Sequence, residues 1–392
     1  MDNFTFWSPT KMIFGKGVEN RSGELAKEFG ASKVLLHFGG GSAEKSGLLN
    51  RIRKSLSESS LKFVELAGAQ PNPRLGLVRV GAELCKKNGV DFILAVGGGS
   101  VIDSAKAIAL SAANPETDVW DFYSRKALPS GAIGVGCVPT LPAAGSEMSN
   151  SSVITNEDGM LKRGFTSKLI CCKFAAMNPE LTFTLSPYQT QCGCADIMMH
   201  TMERYFCGDF GRKLLDGFAE SLMRILMEAA QKLKENPFDY NARAETMLAA
   251  AMSHNDVTGS RDNGDWACHQ LEHELSGKFD VPHGAGLTAI WPAWARYVYR
   301  KNIPRFAQFA SNVFGCAIDF NNIEHTALKG IEAYEKFWES QGMPINMSQL
   351  GINLDEGAIK ELAEKCSFGN MRTIGKIAKL DVSDMESIYR SA

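Results

Sequence analysis

The pattern of apolar runs and glycine turns changes once along this chain, near residue 185, and this change constrains the fold more than any other feature. Before it, the β-rich runs K-V-L-L-H-F and D-F-I-L-A-V alternate with helical stretches, and both runs end in G-G-G-S. Such alternation is typical of a largely parallel sheet covered by helices. Residues 1–185 are therefore predicted to form an α/β domain.

The pattern after residue 185 is nearly all helical. The segment F-A-E-S-L-M-R-I-L-M-E-A-A-Q-K-L, for example, carries apolar residues three and four positions apart. This spacing places them on one face of a helix. Residues 186–392 are therefore predicted to form a second domain that is all-helical.

Composition fits a large enzyme and argues against several partners. The 392 residues are 44% hydrophobic and 22% charged, and the formal net charge is only -2. Because the charges of both signs are interspersed, neither nucleic acid nor a membrane surface is expected as a partner. The sequence shows neither a signal peptide nor an uncharged run of membrane-spanning length, so a cytoplasmic protein is expected. The ten unevenly scattered cysteines are expected to be reduced thiols.

Histidines are sparse in this chain, and three of them, His269, His273 and His283, fall in one short window. Upstream, Asp196 and His200 are four residues apart, as are His269 and His273. Positions i and i+4 share one helix face, so each pair can point at a common site, with His283 added from the turn P-H-G. Imidazoles with one carboxylate suit iron(II) or zinc, and the lack of C-x-x-C pairs argues against a closed structural zinc site. The alternative is that these are core histidines, as lone histidines on apolar helices usually are.

The second G-G-G-S indicates a phosphate site. Gly97, Gly98, Gly99 and Ser100 follow an apolar run and open the helical stretch V-I-D-S-A-K. Backbone N–H groups at such a helix start can hold a pyrophosphate without obstruction by side chains. The turn is neither G-x-G-x-x-G nor a P-loop motif, and a tight turn without a ligand stays an alternative at this point.

Taken together, these motifs resemble the iron-dependent, or group III, alcohol dehydrogenases. The resemblance runs nearly end to end, through P-T-K-M-I-F-G-K-G, P-N-P, G-G-G-S-V-I-D-S-A-K, P-T-L-P-A-A-G-S-E, N-P-E-L-T-F-T-L, A-D-I-M-M-H and the three-histidine window. It implies the fold shared with glycerol dehydrogenase and dehydroquinate synthase, in which a nucleotide-binding α/β domain precedes a helical metal-binding domain. It also implies a homodimer.

The resemblance assigns roles to individual residues. It implies Asp196, His200, His269 and His283 as metal ligands, and His273 as the catalytic proton relay near the nicotinamide. The cofactor contacts that it implies are Asn72, Gly97, Gly98, Gly99, Ser100, Asp103, Thr140, Leu141, Ser149 and Lys162. One departure is Asn178-Pro179, where the family usually has Asp-Pro, which weakens any catalytic charge at that position.

The first G-G-G-S suggests which cofactor is preferred. NAD-specific proteins place an acidic residue in this turn to hold the ribose 2′-hydroxyl, whereas this chain has Gly39 and Gly40 followed by Ser42. The glycines leave room for a 2′-phosphate, and Ser42 can donate a hydrogen bond to it. NADP(H) is therefore expected in preference to NAD(H), as in the NADPH-dependent butanol dehydrogenase and aldehyde reductase branch.

The expected reaction is hydride transfer between NADP(H) and a small primary alcohol or aldehyde such as butanol or butanal. A divalent cation lowers the pKa of an alcohol, and three neutral imidazoles with one carboxylate would leave net positive charge on the ion. Alternatives are a zinc-dependent glycerol or diol dehydrogenase, a lyase like dehydroquinate synthase, and a nucleotide-binding regulator. The absence of lysine and arginine between Gly264 and Gly277 disfavours the lyase. Iron is expected, with zinc open because ligand chemistry alone favours zinc.

Overall fold

The computed structural model describes Asn3 and residues 5–207, 212–259 and 264–392. These residues form two compact units. One unit is Ser8–Leu185, and the other is Ser186–Ala392 together with the described residues of Met1–Trp7. The first contains a parallel sheet and the second is helical, as predicted for the fold class.

Six parallel strands form the main sheet of the first unit, in the order β1-β8-β5-β4-β2-β3, and β6 pairs with β7 in a separate antiparallel hairpin. The strands are β1 Lys11–Phe14, β2 Lys33–Phe38, β3 Lys62–Leu66, β4 Phe92–Gly97, β5 Gly134–Pro139, β6 Ser151–Asn156, β7 Leu161–Thr166 and β8 Phe174–Met177. The hairpin was not anticipated, although Asp158-Gly159 between its strands is a hairpin signal.

The centre of the sheet is buried on both faces, which explains why its strands are continuous apolar runs. Every residue of β4 is buried. On the neighbouring strand β5, a Cβ at Gly134 would lie 2.6 Å from the Phe92 ring, and one at Gly136 would lie 2.3 Å from the Phe174 ring. The two phenyl rings are stacked with centroids 6.1 Å apart. Glycines in β5 therefore make room for aromatic side chains on both neighbouring strands.

Helices connect the strands, so that the parallel pairs are joined by crossovers. The helices of this unit are α1 Ser22–Glu28, α2 Ser42–Lys45, α3 Leu48–Glu58, α4 Leu75–Asn88, α5 Gly99–Ala113 and α6 Val119–Tyr123. The chain runs from β2 outward to β3 and then returns to β4 on the other side of β2. The strand order thus changes direction between β2 and β4, and ligands of such sheets bind at the carboxyl ends of the strands at this point.

The helical unit begins with a strong start signal. Ser186 caps α7 by accepting a hydrogen bond from the Gln189 backbone in a capping box, and Pro187 occupies the first turn. The helices are α7 Pro187–Tyr205, α8 Lys213–Glu235, α9 Tyr240–Ser253, α10 Ala267–Phe279, α11 His283–Val298, α12 Ile303–Phe314, α13 Ile323–Ser340, α14 Glu356–Cys366 and α15 Val382–Ser391. None of the helices in the described residues is both long and apolar enough to span a membrane.

His37 is a buried polar residue that links the sheet to α5. Its Nδ1 lies 2.9 Å from the Leu66 carbonyl oxygen and its Nε2 lies 3.0 Å from Ser104 Oγ. Burial lowers the pKa of His37 to about 4, and the hydrogen bond with Leu66 offsets only part of this effect. The neutral ring donates from Nδ1 to the carbonyl and accepts the Ser104 hydroxyl proton at Nε2.

We expect His37 to make the first unit sensitive to acid. Because the folded pKa is about 4 and the unfolded value is about 6.5, its contribution is complete above about pH 6.5 and is lost as the pH falls toward 4. The free energy of unfolding should therefore drop by about 2 kcal/mol between pH 7.5 and 5 on account of this residue alone. His37→Asn keeps a donor for Leu66 and removes the titration. Urea unfolding of both proteins at the two pH values measures the difference, and an equal pH dependence would contradict the assignment.

Candidate functional site

The α7 helix contributes two of the predicted ligands. Asp196 and His200 lie on one face, as their spacing predicted, and both are buried. His200 Nδ1 is 2.9 Å from the carbonyl oxygen of Asp196 and also 2.9 Å from Asp196 Oδ1. The contact with Oδ1 lacks hydrogen-bond geometry, so we assign the Nδ1 hydrogen to the carbonyl. The Nε2 atom of His200 is then the one that carries a free electron pair.

Helices α10 and α11 bring two more histidines to the same carboxylate. His269 Nε2 lies 3.7 Å from Asp196 Oδ1, and His283 Nε2 lies 3.8 Å from it. His283 does not lie in a turn, as the sequence suggested, but is the first residue of α11 after the cap Pro282. The ligand atoms of Asp196, His200 and His269 all lie within 4.8 Å of one another.

The close approach of α11 to α7 depends on Gly284. A Cβ at this position would lie 2.0 Å from the Cys192 carbonyl oxygen, so any other residue would push the helices apart. Cys192 is one turn before Asp196 on α7. The glycine that follows His283 therefore lets its imidazole reach the carboxylate.

Two atoms in this cluster indicate that it fits a metal ion. Asp196 Oδ1 and His269 Nε2 are buried and make no hydrogen bond with any of the described residues. Leaving a buried polar atom without a partner is costly. Two ligands of a tetrahedral ion with bonds of about 2.1 Å are about 3.4 Å apart, close to the measured separations. The donor set of one carboxylate oxygen and imidazole nitrogens is that of zinc and iron(II) sites.

His200 and His269 differ in basicity because their neighbours differ. Burial lowers the pKa of His200 to about 4, and the charge of Asp196 restores only part of it. For His269, burial is outweighed by its hydrogen bond with Glu203 and by the charges of Glu203 and Asp196, which raise its pKa to about 9. Burial of Asp196 is likewise outweighed, chiefly by the charges of His200 and His283, so its pKa lies well below the usual range. A proton on His269 must leave before Nε2 can bind a metal.

Two glutamates near the ligands were missed by sequence reasoning. Glu203 accepts hydrogen bonds from His269, at 3.0 Å from the backbone nitrogen and 2.8 Å from Nδ1. Glu272 contacts Nδ1 of His283. These carboxylates offset the positive charge that the ligand set alone was expected to leave on the ion. Both follow a candidate ligand by three residues, a repeated H-x-x-E that was visible in the sequence.

The predicted proton relay, His273, lies at the edge of this cluster. Its ring centroid is 6.4 Å from that of His269 and 5.6 Å from that of His283. Its ligand atom lies within 4.8 Å of those of Glu272 and His283, which form a second potential metal-binding group. His273 is only half-buried, in contrast to His269. Its position suits proton exchange, and a role as a ligand is the alternative to be tested.

His254 is a further buried histidine that the sequence did not single out. Its ring centroid is 4.4 Å from that of His200. The ring centroid of His269 is 4.3 Å from that of His200. Within the described part of the chain, His254 belongs to neither potential metal-binding group. It therefore offers a close comparison with His269.

The predicted phosphate turn lies where β4 ends and α5 begins. Gly97 is the last residue of β4 and Gly98 caps α5. A Cβ at Gly97 would lie 2.4 Å from Val101, and one at Gly98 would lie 3.2 Å from Leu141. Thr140, which precedes Leu141, donates from its backbone nitrogen to the Gly97 carbonyl at 3.0 Å. The turn is therefore packed closely against the loop after β5.

The first glycine turn lies on the other side of the point where the strand order changes direction. Gly39 and Gly40 follow β2, and Ser42 opens α2. A Cβ at Gly39 would lie 3.1 Å from the Ala69 carbonyl oxygen and 3.6 Å from Val101. At Gly40, by contrast, no atom of the described residues would lie within 4 Å of a Cβ. Glycine at 39 thus has a packing reason of its own, and the open position is 40.

Internal hydrogen bonds engage several other predicted cofactor contacts. Asp103 accepts from Ser146 Oγ at 2.6 Å and from the Val153 backbone at 2.9 Å. Buried Lys106 donates to the carbonyl of Ser149 at 2.9 Å, and so holds the loop after β5. Of the remaining predicted contacts, Asn72 lies in the loop after β3 and Lys162 lies in strand β7. Gly99 and Ser100 lie at the start of α5.

Asn178 has a structural role, consistent with the departure seen in the sequence. Its side chain caps the following 3-10 turn by accepting from the Glu180 backbone at 3.0 Å, and its Nδ2 donates to buried Glu19 at 3.0 Å. Its neutral amide supplies no charge.

Comparison with known proteins agrees with this arrangement. Residues 9–179 match the family model described as iron-containing alcohol dehydrogenase, and residues 190–392 match the C-terminal model of the same family. The chain is 38% identical to a probable NADH-dependent butanol dehydrogenase of Bacillus subtilis and 32% identical to the NADPH-dependent aldehyde reductase YqhD of Escherichia coli, each over 100% of both chains. The crystal structure of NADH-dependent butanol dehydrogenase A from Thermotoga maritima superposes with a TM-score of 0.95, at 37% identity, covering 100% of this chain and 99% of that one.

The chain therefore belongs to the iron-containing alcohol dehydrogenase family and is an NAD(P)-dependent enzyme of that family.

Replacing His269 tests the candidate metal ligands independently of nucleotide binding. His269→Ala should lower metal affinity by more than about 100-fold, because it removes a ligand rather than a residue behind one. Nucleotide binding should persist, since the glycine turns belong to the other unit. Metal content by elemental analysis and NADPH binding by fluorescence titration measure both effects. The control variant His254→Ala changes an equally close neighbour of His200 and should keep the metal. If His254→Ala lost the metal and His269→Ala kept it, the roles of these two histidines would be reversed.

Proposed function

We propose that the chain transfers a hydride between NADP(H) and a small primary alcohol or aldehyde such as butanol or butanal, at an iron(II) centre. The proposed ligands are Asp196, His200, His269 and His283. The observation that carries this proposal is a pair of buried atoms, Asp196 Oδ1 and His269 Nε2, that make no hydrogen bond within the described part of the chain. Relatives named as butanol dehydrogenases and as an aldehyde reductase support the substrate class.

The proposed chemistry divides between bound groups and side chains. When bound, the divalent ion supplies Lewis acidity that lowers the pKa of an alcohol and polarises an aldehyde carbonyl, and the nicotinamide carries the hydride. The chain holds the ligand atoms in place. His273, half-buried beside His283, takes up the alcohol proton or returns it, and passes it to solvent. Zinc fits the same donors and is the alternative metal.

A neutral substrate fits the charges around the ligands. The positive charge of Arg204 helps to lower the pKa of His200. Arg204 donates a hydrogen bond to the His200 carbonyl at 2.9 Å and lies 3.5 Å from Asp256. It is fully buried, so its charge is committed to the protein. An acidic substrate would add a further negative charge next to Asp196, Glu203 and Glu272, which is unfavourable at short range.

The nucleotide is proposed to bind to the α/β domain predicted for residues 1–185, and the metal to the helical domain predicted for residues 186–392. The pyrophosphate is assigned to the start of α5, where unpaired backbone N–H groups and the helix dipole favour an anion. The proposed cofactor contacts are Gly39, Gly40, Ser42, Asn72, Gly97, Gly98, Gly99, Ser100, Asp103, Thr140, Leu141, Ser149 and Lys162. The family resemblance supports a cytoplasmic homodimer.

The preference for NADP(H) rests on the charges at the turn after β2. The acidic side chain nearest in sequence, Glu44, is bound by Arg53 through two hydrogen bonds of 2.9 Å. Lys45 lies beside the turn, since a Cβ at Gly41 would be 3.6 Å from its Cε. A 2′-phosphate would therefore meet a lysine and no unpaired carboxylate from these residues. Relatives divide on this point, because several are named as NADH-dependent and others as NADPH-dependent.

Adding a carboxylate at Gly40 tests the cofactor preference. Gly40→Asp should lower kcat/KM for NADPH relative to NADH by about 10-fold or more, because the new charge repels the 2′-phosphate. Position 40 is chosen over 39 because only there is the space around a new Cβ open. The measurement is steady-state kinetics with butanal and each cofactor.

The neutral variant Gly40→Asn is the matched control, and its cofactor ratio should stay close to that of the unchanged protein. A ratio in Gly40→Asp equal to that of Gly40→Asn would show that this turn does not select the cofactor.

Replacing His273 tests the proton relay. His273→Ala should keep the metal and lower kcat by about 10²- to 10⁴-fold, with a changed pH profile. Exposed His325, which pairs with Asp319, provides the control variant His325→Ala with unchanged rates. Loss of metal from His273→Ala would instead assign His273 to the ligand group that it forms with Glu272 and His283.

A further inference from the structure

Two of the helices that carry candidate metal ligands share a local motif. His200 is followed three residues later by Glu203 on α7, and His269 is followed three residues later by Glu272 on α10. Both glutamates are buried, with side chains exposed by only 2% and 0%. A buried carboxylate is costly unless charged or hydrogen-bonding groups surround it, so each requires a partner.

In each case the partner is a histidine on another helix. Glu203 on α7 accepts from His269 on α10, through Nδ1 at 2.8 Å and through the backbone nitrogen at 3.0 Å. Glu272 on α10 contacts Nδ1 of His283 on α11. The contacts thus link α7 to α10 and α10 to α11, and each glutamate contacts a candidate ligand that lies on a different helix from its own.

The fold makes room specifically for the second glutamate. Gly286 lies three residues after His283 on α11, and a Cβ there would come within 2.7 Å of Glu272 Oε1. Ser276, one turn further along α10, donates its hydroxyl to the same oxygen. The glycine and the serine together fix the carboxylate next to His283.

These contacts place a carboxylate at Nδ1 of each imidazole and leave Nε2 as the nitrogen nearer to Asp196. A carboxylate that accepts the Nδ1 hydrogen leaves the electron pair on Nε2. The Nε2 atoms of His269 and His283 are the ones that lie 3.7 and 3.8 Å from Asp196 Oδ1. The carboxylates also add two negative charges behind the imidazoles, which makes the nitrogens better donors to a cation.

We propose that Glu203 and Glu272 are positioning residues of the metal centre, each fixing the tautomer and orientation of a histidine on the neighbouring helix and strengthening its bond to the ion. This inference rests on the proposed ligand set. It predicts that the glutamates act on metal affinity through charge, even where the packing of the helices is unchanged.

The experiment is titration of the metal-free protein with cobalt(II), followed by its visible absorption spectrum. Glu203→Gln and Glu272→Gln preserve shape and remove charge, and each should weaken cobalt binding by about 10- to 100-fold. Ser276→Ala, which loosens Glu272 without removing its charge, should weaken binding by about fivefold. This variant keeps the proposal testable if a glutamine variant does not fold.

Glu220→Gln is the matched control. Glu220 is also buried, but it accepts from Tyr205, Gln308 and Asn312 rather than from a histidine, so this variant should bind cobalt with unchanged affinity. Unchanged cobalt affinity in both Glu203→Gln and Glu272→Gln would overturn the inference. This holds even if these substitutions lower the thermal stability of the metal-free protein. Retention of cobalt by His269→Ala would instead overturn the proposed ligand set.

Discussion

The site depends on how closely two helices approach each other. At Gly284 of α11, a single added Cβ would collide with the Cys192 carbonyl of α7 at 2.0 Å. Because His283 is the residue before this glycine, the same contact brings its imidazole to Asp196. A larger residue at 284 would separate the helices and leave Asp196 and His200 without their partner from α11. Backbone packing, rather than the ligands' own attraction, therefore sets the dimensions of the cluster.

That packing concentrates charge in a region from which water is largely excluded. Asp196, Glu203 and Glu272 are buried beside the buried imidazoles of His200 and His269 and the half-buried imidazole of His283. Taking carboxylates out of water costs several kcal/mol each unless they are paired, so the helical unit contains an arrangement that the fold alone does not favour. Such a conflict between burial and charge is typical of functional sites. A divalent cation held by the proposed ligands would resolve it, and metal binding would then be coupled to the stability of this unit.

The two glycine turns show that one residue type can serve two physical purposes. Gly97 and Gly39 are required by packing, against Val101 and the Ala69 carbonyl respectively. Gly40 has open space around it among the described residues, so its lack of a side chain has no packing reason there. Both turns lie at the carboxyl ends of β2 and β4, where the strand order changes direction and a nucleotide is expected. The sheet topology thus converts two separate G-G-G-S segments into neighbouring parts of one edge.

The sequence by itself determined the features that depend on local regularity. Helical periodicity placed Asp196 with His200 and His269 with His273, and the alternation of apolar runs with glycine turns predicted the parallel sheet and its loops. The start of α11 at His283, the β6–β7 hairpin and the packing role of Gly39 became visible only in the structure. The same holds for Glu203, which meets His269 across 66 residues of chain. Spacing along a helix is fixed by its pitch, whereas a contact between helices depends on how the whole unit packs, and only the tertiary structure decides it.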